Sequence, residues 1–269
     1  ANNPGSGSGS GSSGSTGSSF TLTTSVENVS GGAGDDVVSG VLGTSGTFNV
    51  GDDIRGGSGT DTINLIVASG SDGDAGLVSI NGVEVVNVRH VGSAVTAASA
   101  GNEVTLNAAD WSGVAVLSNA SSLSETRIDA SAIAATTKIG LYGNTDINVA
   151  FANLTTGTET VSVILSTAGS FAGATTLASA TALGTANLDL DLANAGLVDG
   201  VNIELRGASL VRIEAGDDNR TITLTGTGRA LLVTDDAITK LDASALTLDN
   251  EFTLSARSDV SVIGGAGND

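Results

Sequence analysis

Two glycine- and aspartate-rich segments carry the residues best suited to chemistry in this sequence. Residues 31–39 read GGAGDDVVS and residues 56–64 read GGSGTDTIN, and both fit the nonapeptide pattern G-G-x-G-x-D-x-U-x, in which U is aliphatic. The glycines allow a tight turn whose carbonyl oxygens converge, and the aspartate adds a carboxylate. Such a turn suits a hard cation with roughly six to eight oxygen ligands, so the segments predict Ca²⁺ binding rather than Zn²⁺ or Cu²⁺ binding.

A third copy of the pattern, GGAGND, occupies residues 264–269 and ends at its aspartate. An irregular partial copy with two adjacent aspartates lies at residues 50–55, directly before the second copy. We expect the metal ligands, and the glycines that shape their turns, among Gly31, Gly32, Gly34, Asp35, Asp36, Asp52, Asp53, Gly56, Gly57, Gly59, Asp61, Gly264, Gly265, Gly267 and Asp269.

Two other acidic turns, SDGD at residues 71–74 and GDDN at residues 216–219, allow two interpretations. Either turn could complete a Ca²⁺ shell with a neighbouring segment, because its side chains are rich in oxygen. The alternative, which we prefer for both, is a solvated turn closed by its own Asp or Asn side chain.

Catalytic residues are scarce in the sequence. His90 is the single histidine, and its aliphatic neighbours in VNVRHVG indicate a surface or stacked position on a strand rather than a catalytic triad. A polysaccharide lyase or hydrolase could combine Ca²⁺ with an arginine base, but Trp111 and Tyr142 are isolated in sequence and predict no aromatic platform for sugars. The candidate bases of such an enzyme are Arg127, Arg206 and Arg212. We therefore predict a non-enzymatic protein.

The net charge and the lack of cysteine exclude several further functions and suggest a role for cations in folding. The chain has 10 Lys and Arg against 29 Asp and Glu, a formal net charge of −19, which argues against nucleic acid as a partner. It contains no cysteine, which excludes disulfides, thiolate zinc sites and a cysteine nucleophile. Clustered carboxylates repel one another without counter-ions, so we expect folding to be linked to Ca²⁺.

Short alternating runs bounded by Gly, Asn, Asp or Ser predict strands, whereas helical spacing is rare. The predicted strands are Phe20–Thr24, Val83–Val88, Ile147–Phe151, Val161–Leu165, Leu188–Leu192 and Thr221–Thr225. A weak repeat of an aliphatic residue, Asn or Asp, Ala and a small residue begins at Leu106, Ile128 and Leu241, with Val262 as a further step. A period of about 22 residues in an all-β chain predicts a parallel β-solenoid with calcium-binding corners. A β-sandwich is the alternative, although sandwiches usually contain more aromatic core residues.

The nonapeptides resemble the calcium-binding repeats of the repeats-in-toxin (RTX) family of bacterial secreted toxins, proteases, adhesins and S-layer proteins. The resemblance covers about two and a half nonapeptides, and the stretch from FTLTT at residues 20–24 through residues 26–36 also looks like the opening of large bacterial surface proteins. It implies a parallel β-roll with Ca²⁺ held between turns by aspartates and carbonyls, often after export through a type I system. The departure from that family is that uninterrupted tandem nonapeptides are missing.

The domain organisation follows from these segments. We expect a flexible Gly/Ser linker at residues 1–19, RTX-like calcium-binding coils at 20–66, a β-solenoid at 67–263 and the truncated start of a further nonapeptide at 264–269. We find no membrane span and no signal peptide in the sequence. Since the chain lacks Met and stops within a repeat, we expect it to be a piece of a longer protein.

The function predicted is that of a calcium-stabilised extracellular structural protein on the bacterial cell surface, such as an S-layer, a surface filament or an adhesin. The predicted cofactor is Ca²⁺, and the predicted partners are copies of the chain, other surface-layer subunits and cell-surface polysaccharide. A carbohydrate-binding adhesin module that does not self-assemble is a further alternative.

Overall fold

The chain consists of β-strands and turns throughout the residues that the computed structural model describes. These are residues 16–43, 45–67, 73–91, 103–120, 127–142, 146–152, 159–166, 187–188, 190–192, 198–206, 209–213, 220–228, 230–234, 238–254 and 259–269. Within these ranges there is no helix, and hence none long and apolar enough to cross a membrane. The predicted all-β class is confirmed.

One long sheet of eleven strands extends through the described chain. With strands numbered in chain order, its members in spatial order are β1 (Ser19–Thr21), β3 (Val37–Leu42), β5 (Thr62–Val67), β8 (Val85–His90), β11 (Val116–Ala120), β13 (Lys138–Tyr142), β15 (Glu159–Ser166), β18 (Val198–Arg206), β20 (Arg220–Gly226), β22 (Ile238–Asp242) and β24 (Ser261–Ile263).

Three shorter sheets contain the remaining strands. The first short sheet contains β2 (Asn28–Ala33), β4 (Asp53–Ser58), β7 (Ser79–Asn81) and β10 (Trp111–Ser112). The second contains β6 (Gly73–Ala75), β9 (Glu103–Asn107), β12 (Arg127–Ala134), β14 (Asp146–Ala152) and β17 (Leu190–Leu192). The third contains β16 (Asn187–Leu188), β19 (Ser209–Ile213), β21 (Ala230–Thr234) and β23 (Glu251–Leu254).

Every pairing between described strands is parallel. Consecutive strands of the long sheet are neighbours in space, and the chain passes through one or more short sheets between them. Parallel neighbours need such crossover connections, because the chain must return to the same end of the sheet before it pairs again.

The predicted strands are present in the structure, with small shifts at their ends. The predicted strand Leu188–Leu192 is an exception, because it divides into β16 and β17, which lie in different sheets. The other five overlap β1, β8, β14, β15 and β20.

The predicted period of about 22 residues is only partly correct. In the long sheet, 18 residues separate Phe20 from its partner Val38, whereas 40 separate Val163 from Ile203. The step from Leu241 to Val262 is confirmed, because these residues pair. The other repeat positions do not share one column, since turns of different length shift the register from one step to the next.

The two repeats in the second short sheet show this shift directly. Leu106 was expected to be equivalent to Ile128, but Ile128 pairs with Val104, and Leu106 pairs with Ala130. Leu241 lies in the long sheet rather than in this one. The repeat is therefore a sequence that recurs in several strands, and its copies do not share one structural position.

The core is formed by aliphatic residues that face inward from successive strands. One column of the long sheet stacks Val38, Ile63, Val86, Leu117 and Ile139, all of which are buried. Fully burying one such side chain contributes about 1.5 to 3 kcal/mol. Val38 and Ile63 are the aliphatic residues of the first two nonapeptides, and their predicted inward position is confirmed.

Candidate metal centre

The first two nonapeptides stack directly on each other. Strands β2 and β4 pair so that Gly32 faces Gly57 and Ala33 faces Ser58. The backbone N–H of Gly34 donates to the carbonyl oxygen of Ser58 over 2.7 Å, which continues the ladder into the turn. The two turns therefore form one stacked pair at the same corner of the fold.

The backbone of these turns requires glycine at the second and third glycine positions. The φ angles are +111° at Gly32 and +112° at Gly57, and +106° at Gly34 and +137° at Gly59. Residues with a Cβ rarely adopt positive φ, whereas glycine does so at no steric cost. The pattern read from the sequence thus has a conformational basis in both copies.

The first glycine has a different role, because it gives room to the aspartate of its own copy. A Cβ at this position would overlap Oδ2 of that aspartate or come close to it. The glycine–aspartate pairs are Gly31 with Asp36, Gly56 with Asp61, and Gly264 with Asp269. Each carboxylate therefore lies over the start of its own turn.

A ladder of carboxylates connects successive strands at this corner. The backbone N–H of Ser18 donates to Asp36 Oδ1 over 2.5 Å, the N–H of Asp36 donates to Asp61 Oδ1 over 2.8 Å, and the N–H of Asp61 donates to Glu84 Oε2 over 2.7 Å. We call Asp36, Asp61 and Glu84 the carboxylate ladder. Each carboxylate satisfies a backbone donor from the preceding strand connection, so these residues join successive strand connections even without a cation.

Glu84 is the member of this ladder that the sequence analysis missed. It follows the turn Asn81-Gly82, in which Gly82 has a φ of +60°. The only signal in the sequence was its position, 23 residues after Asp61 and two residues after a glycine, since the nonapeptide pattern itself is absent there.

Two carboxylate oxygens in the ladder have no hydrogen-bond donor among the described residues. Asp36 and Asp61 are each 1 % exposed, and the Oδ2 atom of each is buried and unpartnered. A buried carboxylate oxygen without a donor or a cation is costly. A Cβ added at Gly31 would overlap both Asp36 Oδ2 and the carbonyl oxygen of Gly56. A Cβ added at Gly56 would overlap both Asp61 Oδ2 and the carbonyl oxygen of Gly82. Each unpartnered carboxylate oxygen therefore lies close to a backbone carbonyl oxygen.

The electrostatics of Asp61 follow from this burial. Desolvation raises the pKa of Asp61 above its ordinary value of 3.8, and the charges of Asp36, Glu84 and Asp35 add to the increase, partly offset by the hydrogen bond from the Asp36 N–H. A bound cation would oppose each of the effects that raise this pKa.

The donor set of this corner fits Ca²⁺ in kind. It consists of buried carboxylate oxygens and turn carbonyls, which are the oxygen ligands that Ca²⁺ takes. Among the described residues, however, no three Asp, Glu or His side chains come together as a metal-binding group. Backbone carbonyls and water would therefore supply most of the coordination shell, with Asp36 and Asp61 as the charged ligands.

The predicted ligands of the partial copy have other partners. Asp52 is buried, and its two carboxylate oxygens accept the backbone N–H of Glu27 over 2.9 Å and of Asn49 over 2.7 Å. Asp53 forms an ion pair with Arg55 at 2.8 Å, and the hydrogen bond from Arg55 is the main reason why the pKa of Asp53 is lowered. In this structure Asp52 closes a turn, and Asp53 forms a surface ion pair.

The third copy repeats the hydrogen bonds of the first two with one difference. Asp249 Oδ1 accepts the N–H of Asn268 over 2.8 Å, as Asp35 Oδ1 accepts the N–H of Thr60 over 2.8 Å. Asp269 accepts the N–H of Asn250 through Oδ1 over 3.2 Å and the N–H of Gly265 through Oδ2 over 2.5 Å. Both oxygens of Asp269 are thus occupied by protein donors, unlike those of Asp36 and Asp61.

Several other sequence candidates lie outside the described residues or lack described side chains. Asp72 and residues 216–219 lie outside, and the structure describes the backbone but not the side chain of Asp74, His90, Arg127 and Arg212. Arg206 is described and donates to Glu204 over 2.7 Å in an exposed ion pair. A surface pair of this kind gives no sign of a catalytic base.

The comparisons with known proteins found no relative of the chain. No protein-family model matches the chain, and no curated protein and no solved structure matches it.

Proposed function

We propose that this chain is a calcium-stabilised, non-enzymatic structural protein of the bacterial cell surface, built as a parallel β-solenoid with RTX-like corners. In the proposed mechanism, Ca²⁺ completes the folding of the coils outside the cell, where it is abundant. The folded coils then assemble with copies of the chain or with other surface-layer subunits.

The strand order supports the solenoid. A solenoid coil returns to the same sheet at each turn, so consecutive strands of one sheet pair in parallel and in chain order. The long sheet has this order from β1 to β24. A β-sandwich, in contrast, is made of antiparallel sheets with Greek-key connections.

The observation that carries the calcium proposal is the pair of buried, unpartnered oxygens on Asp36 and Asp61. They occur in the two full nonapeptides, which stack in register, whereas the corresponding oxygen of Asp269 has a protein donor. A ligand that binds only the folded state stabilises it by mass action, by about 2.7 kcal/mol at a free concentration of 100 times its Kd.

The test is thermal unfolding followed by circular dichroism, in calcium-free buffer and in about 5 mM Ca²⁺, a concentration suited to extracellular calcium modules. We expect Ca²⁺ to raise the melting temperature of the wild type. Asp36→Asn and Asp61→Asn keep an oxygen for the ladder hydrogen bond but remove the charge. We therefore expect them to lose most of the calcium-dependent gain, and to be at least as stable as the wild type without Ca²⁺.

The matched control is Asp53→Asn, which removes a carboxylate from an exposed ion pair close by. It should retain the full calcium-dependent gain, because exposed pairs contribute little. Equal calcium responses in the wild type, Asp61→Asn and Asp53→Asn would contradict the proposed site. Light scattering of the calcium-loaded wild type then tests assembly separately.

A further inference from the structure

A groove interrupts the regular stacking beside strand β10. The coil between β8 and β11 passes through both β9 and β10, whereas β12 is the only strand between β11 and β13 in the part of the chain that the structure describes. That shorter coil turns directly toward the long sheet, where the N–H of Lys138 donates to Ala115 O over 2.8 Å and Thr137 Oγ1 donates to Val114 O over 2.8 Å. The first short sheet ends at β10, and a cavity of about 580 Å³ lies at this step.

The groove has an aromatic wall and a surface of small side chains. Trp111 packs against the hydrophobic core and also lines the groove. Ala132, Ala134 and Thr136 also line the groove, and Ala134 and Thr136 are exposed. Among the described residues, none that lines the groove is ionisable.

The open edge of β10 adds backbone hydrogen-bonding groups. The carbonyls of Asp110 and Ser112 accept hydrogen bonds from the backbone N–H groups of Ile80 in β7 and of Gly82 just after it, over 3.1 Å each. Because backbone groups alternate in direction along a strand, the carbonyl of Trp111 and the N–H of Gly113 face away from β7, toward the side where the sheet ends. The groove therefore offers one acceptor and one donor next to an aromatic ring.

We propose that this groove binds a short stretch of an uncharged glycan. The apolar C–H face of a sugar ring packs on an aromatic side chain and on alanine methyl groups, while its hydroxyls act as donor and acceptor for the strand edge and Thr136. The volume lies in the ordinary range for small-molecule sites. The absence of a cation among the described lining residues, in a chain of net charge −19, disfavours an anionic glycan.

An added peptide strand is the competing occupant, and the length of β10 argues against it. Strand addition gains its affinity from a row of main-chain hydrogen bonds. Strand β10 contains only Trp111 and Ser112, so its open edge supplies too few of these bonds to hold an extended peptide.

The test uses intrinsic fluorescence, because Trp111 is the only tryptophan in the chain. The full chain is titrated with maltotriose, cellotriose and chitotriose, with trigalacturonate as the charged comparison and a Val-Thr-Val-Thr peptide as the strand probe. We expect a saturable change in emission with at least one neutral trisaccharide, with a Kd of about 1 mM or below, and none with trigalacturonate.

Two variants make the result specific to the groove. Ala134→Phe fills it and should weaken binding at least about tenfold, a change of about 1.4 kcal/mol. Ala245→Phe replaces another exposed alanine, which does not line the groove, and should bind like the wild type. The proposal is overturned if no neutral trisaccharide changes the emission, if only the peptide does, or if Ala134→Phe binds as tightly as the wild type. All titrations are run in about 5 mM Ca²⁺, so that the chain is folded in every sample, and a failure would leave the calcium proposal intact.

Discussion

At the scale of single residues, the glycines of the stacked turns answer two different physical demands. One demand is a positive φ, and the other is space for a neighbouring carboxylate or carbonyl. Gly32 and Gly57 allow the two demands to be compared, because their φ angles are nearly equal at +111° and +112° while their surroundings differ. A Cβ at Gly32 would meet nothing within 4 Å, whereas one at Gly57 would overlap the backbone of Gly32.

This difference predicts unequal costs for two alanine substitutions. Gly32→Ala should cost about 1 to 3 kcal/mol of unfolding free energy, from backbone strain alone. Gly57→Ala should cost clearly more, because the stacked turns must also separate to admit the methyl group. Urea unfolding of both variants measures the difference. Equal losses would mean that the two turns are not stacked at the described spacing.

At the scale of elements, a polar ladder on the long sheet links three neighbouring strands. Asn87 Nδ2 donates to Asn64 Oδ1 over 3.0 Å, and Ser118 Oγ donates to Asn87 Oδ1 over 2.7 Å. Ser118 is fully buried, so its hydroxyl depends on this acceptor. The ladder fixes the register of β5, β8 and β11, since a slip would separate these side chains.

We therefore expect Asn87→Ala to destabilise the chain by about 1 to 3 kcal/mol, the cost of leaving the buried hydroxyl of Ser118 and the half-buried amide of Asn64 without this partner. Asn81→Ala is the control, because Asn81 is exposed and donates to Ser112 Oγ over 2.7 Å at the surface. It should change stability by less than about 0.5 kcal/mol. Chemical unfolding of Asn87→Ala, of Ser118→Ala and of the double variant measures the coupling between the two side chains. Single effects that add up to the double effect would refute it.

The strands and the turns differ in how far the sequence could predict them. Alternation identified strands such as β8 and β20, because one face of each is buried and the period of two is visible locally. The register of stacking was not local. Ile128 pairs with Val104 rather than with Leu106, because the lengths of the intervening turns decide which residues meet. For the same reason the pattern found Asp36 and Asp61 but not Glu84, whose place in the ladder depends on stacking.

At the scale of the whole molecule, the excess of acidic residues has a local and a global component. Locally, Asp36, Asp61 and Glu84 bring negative charge onto one corner. Globally, the net charge of −19 opposes compaction at neutral pH. The repulsion among carboxylates decreases at both levels when protons or cations bind. We therefore expect both pH and Ca²⁺ to change the free energy of folding.

The direction in which pH changes the stability follows from two carboxyl groups, those of Asp61 and Asp242, whose pKa values are shifted in opposite directions. The pKa of Asp61 is raised above 3.8, so the folded state binds its proton more tightly, and stability falls as pH rises from 3.8 through the folded pKa. The pKa of Asp242 is lowered to about 2, mainly by hydrogen bonds from Ser244 and Lys240, so its contribution is present above 3.8 and is lost as pH falls toward 2. Without Ca²⁺, the chain should thus be most stable at mildly acidic pH.

Calcium should shift this optimum toward neutral pH, because the cation and the proton compete for Asp61. We expect the calcium-dependent gain in melting temperature to be largest near pH 7 and to shrink toward about pH 4, where the carboxylate is protonated in a larger fraction of molecules. Melting curves across this range, in buffer freed of calcium by a chelating resin and again with Ca²⁺, measure the gain. In Asp61→Asn, the calcium-dependent gain in melting temperature should vary less with pH, because the substitution removes the carboxylate at which the proton and the cation compete. A gain that stayed constant with pH in the wild type would show that Ca²⁺ stabilises the chain through groups other than the buried carboxylate.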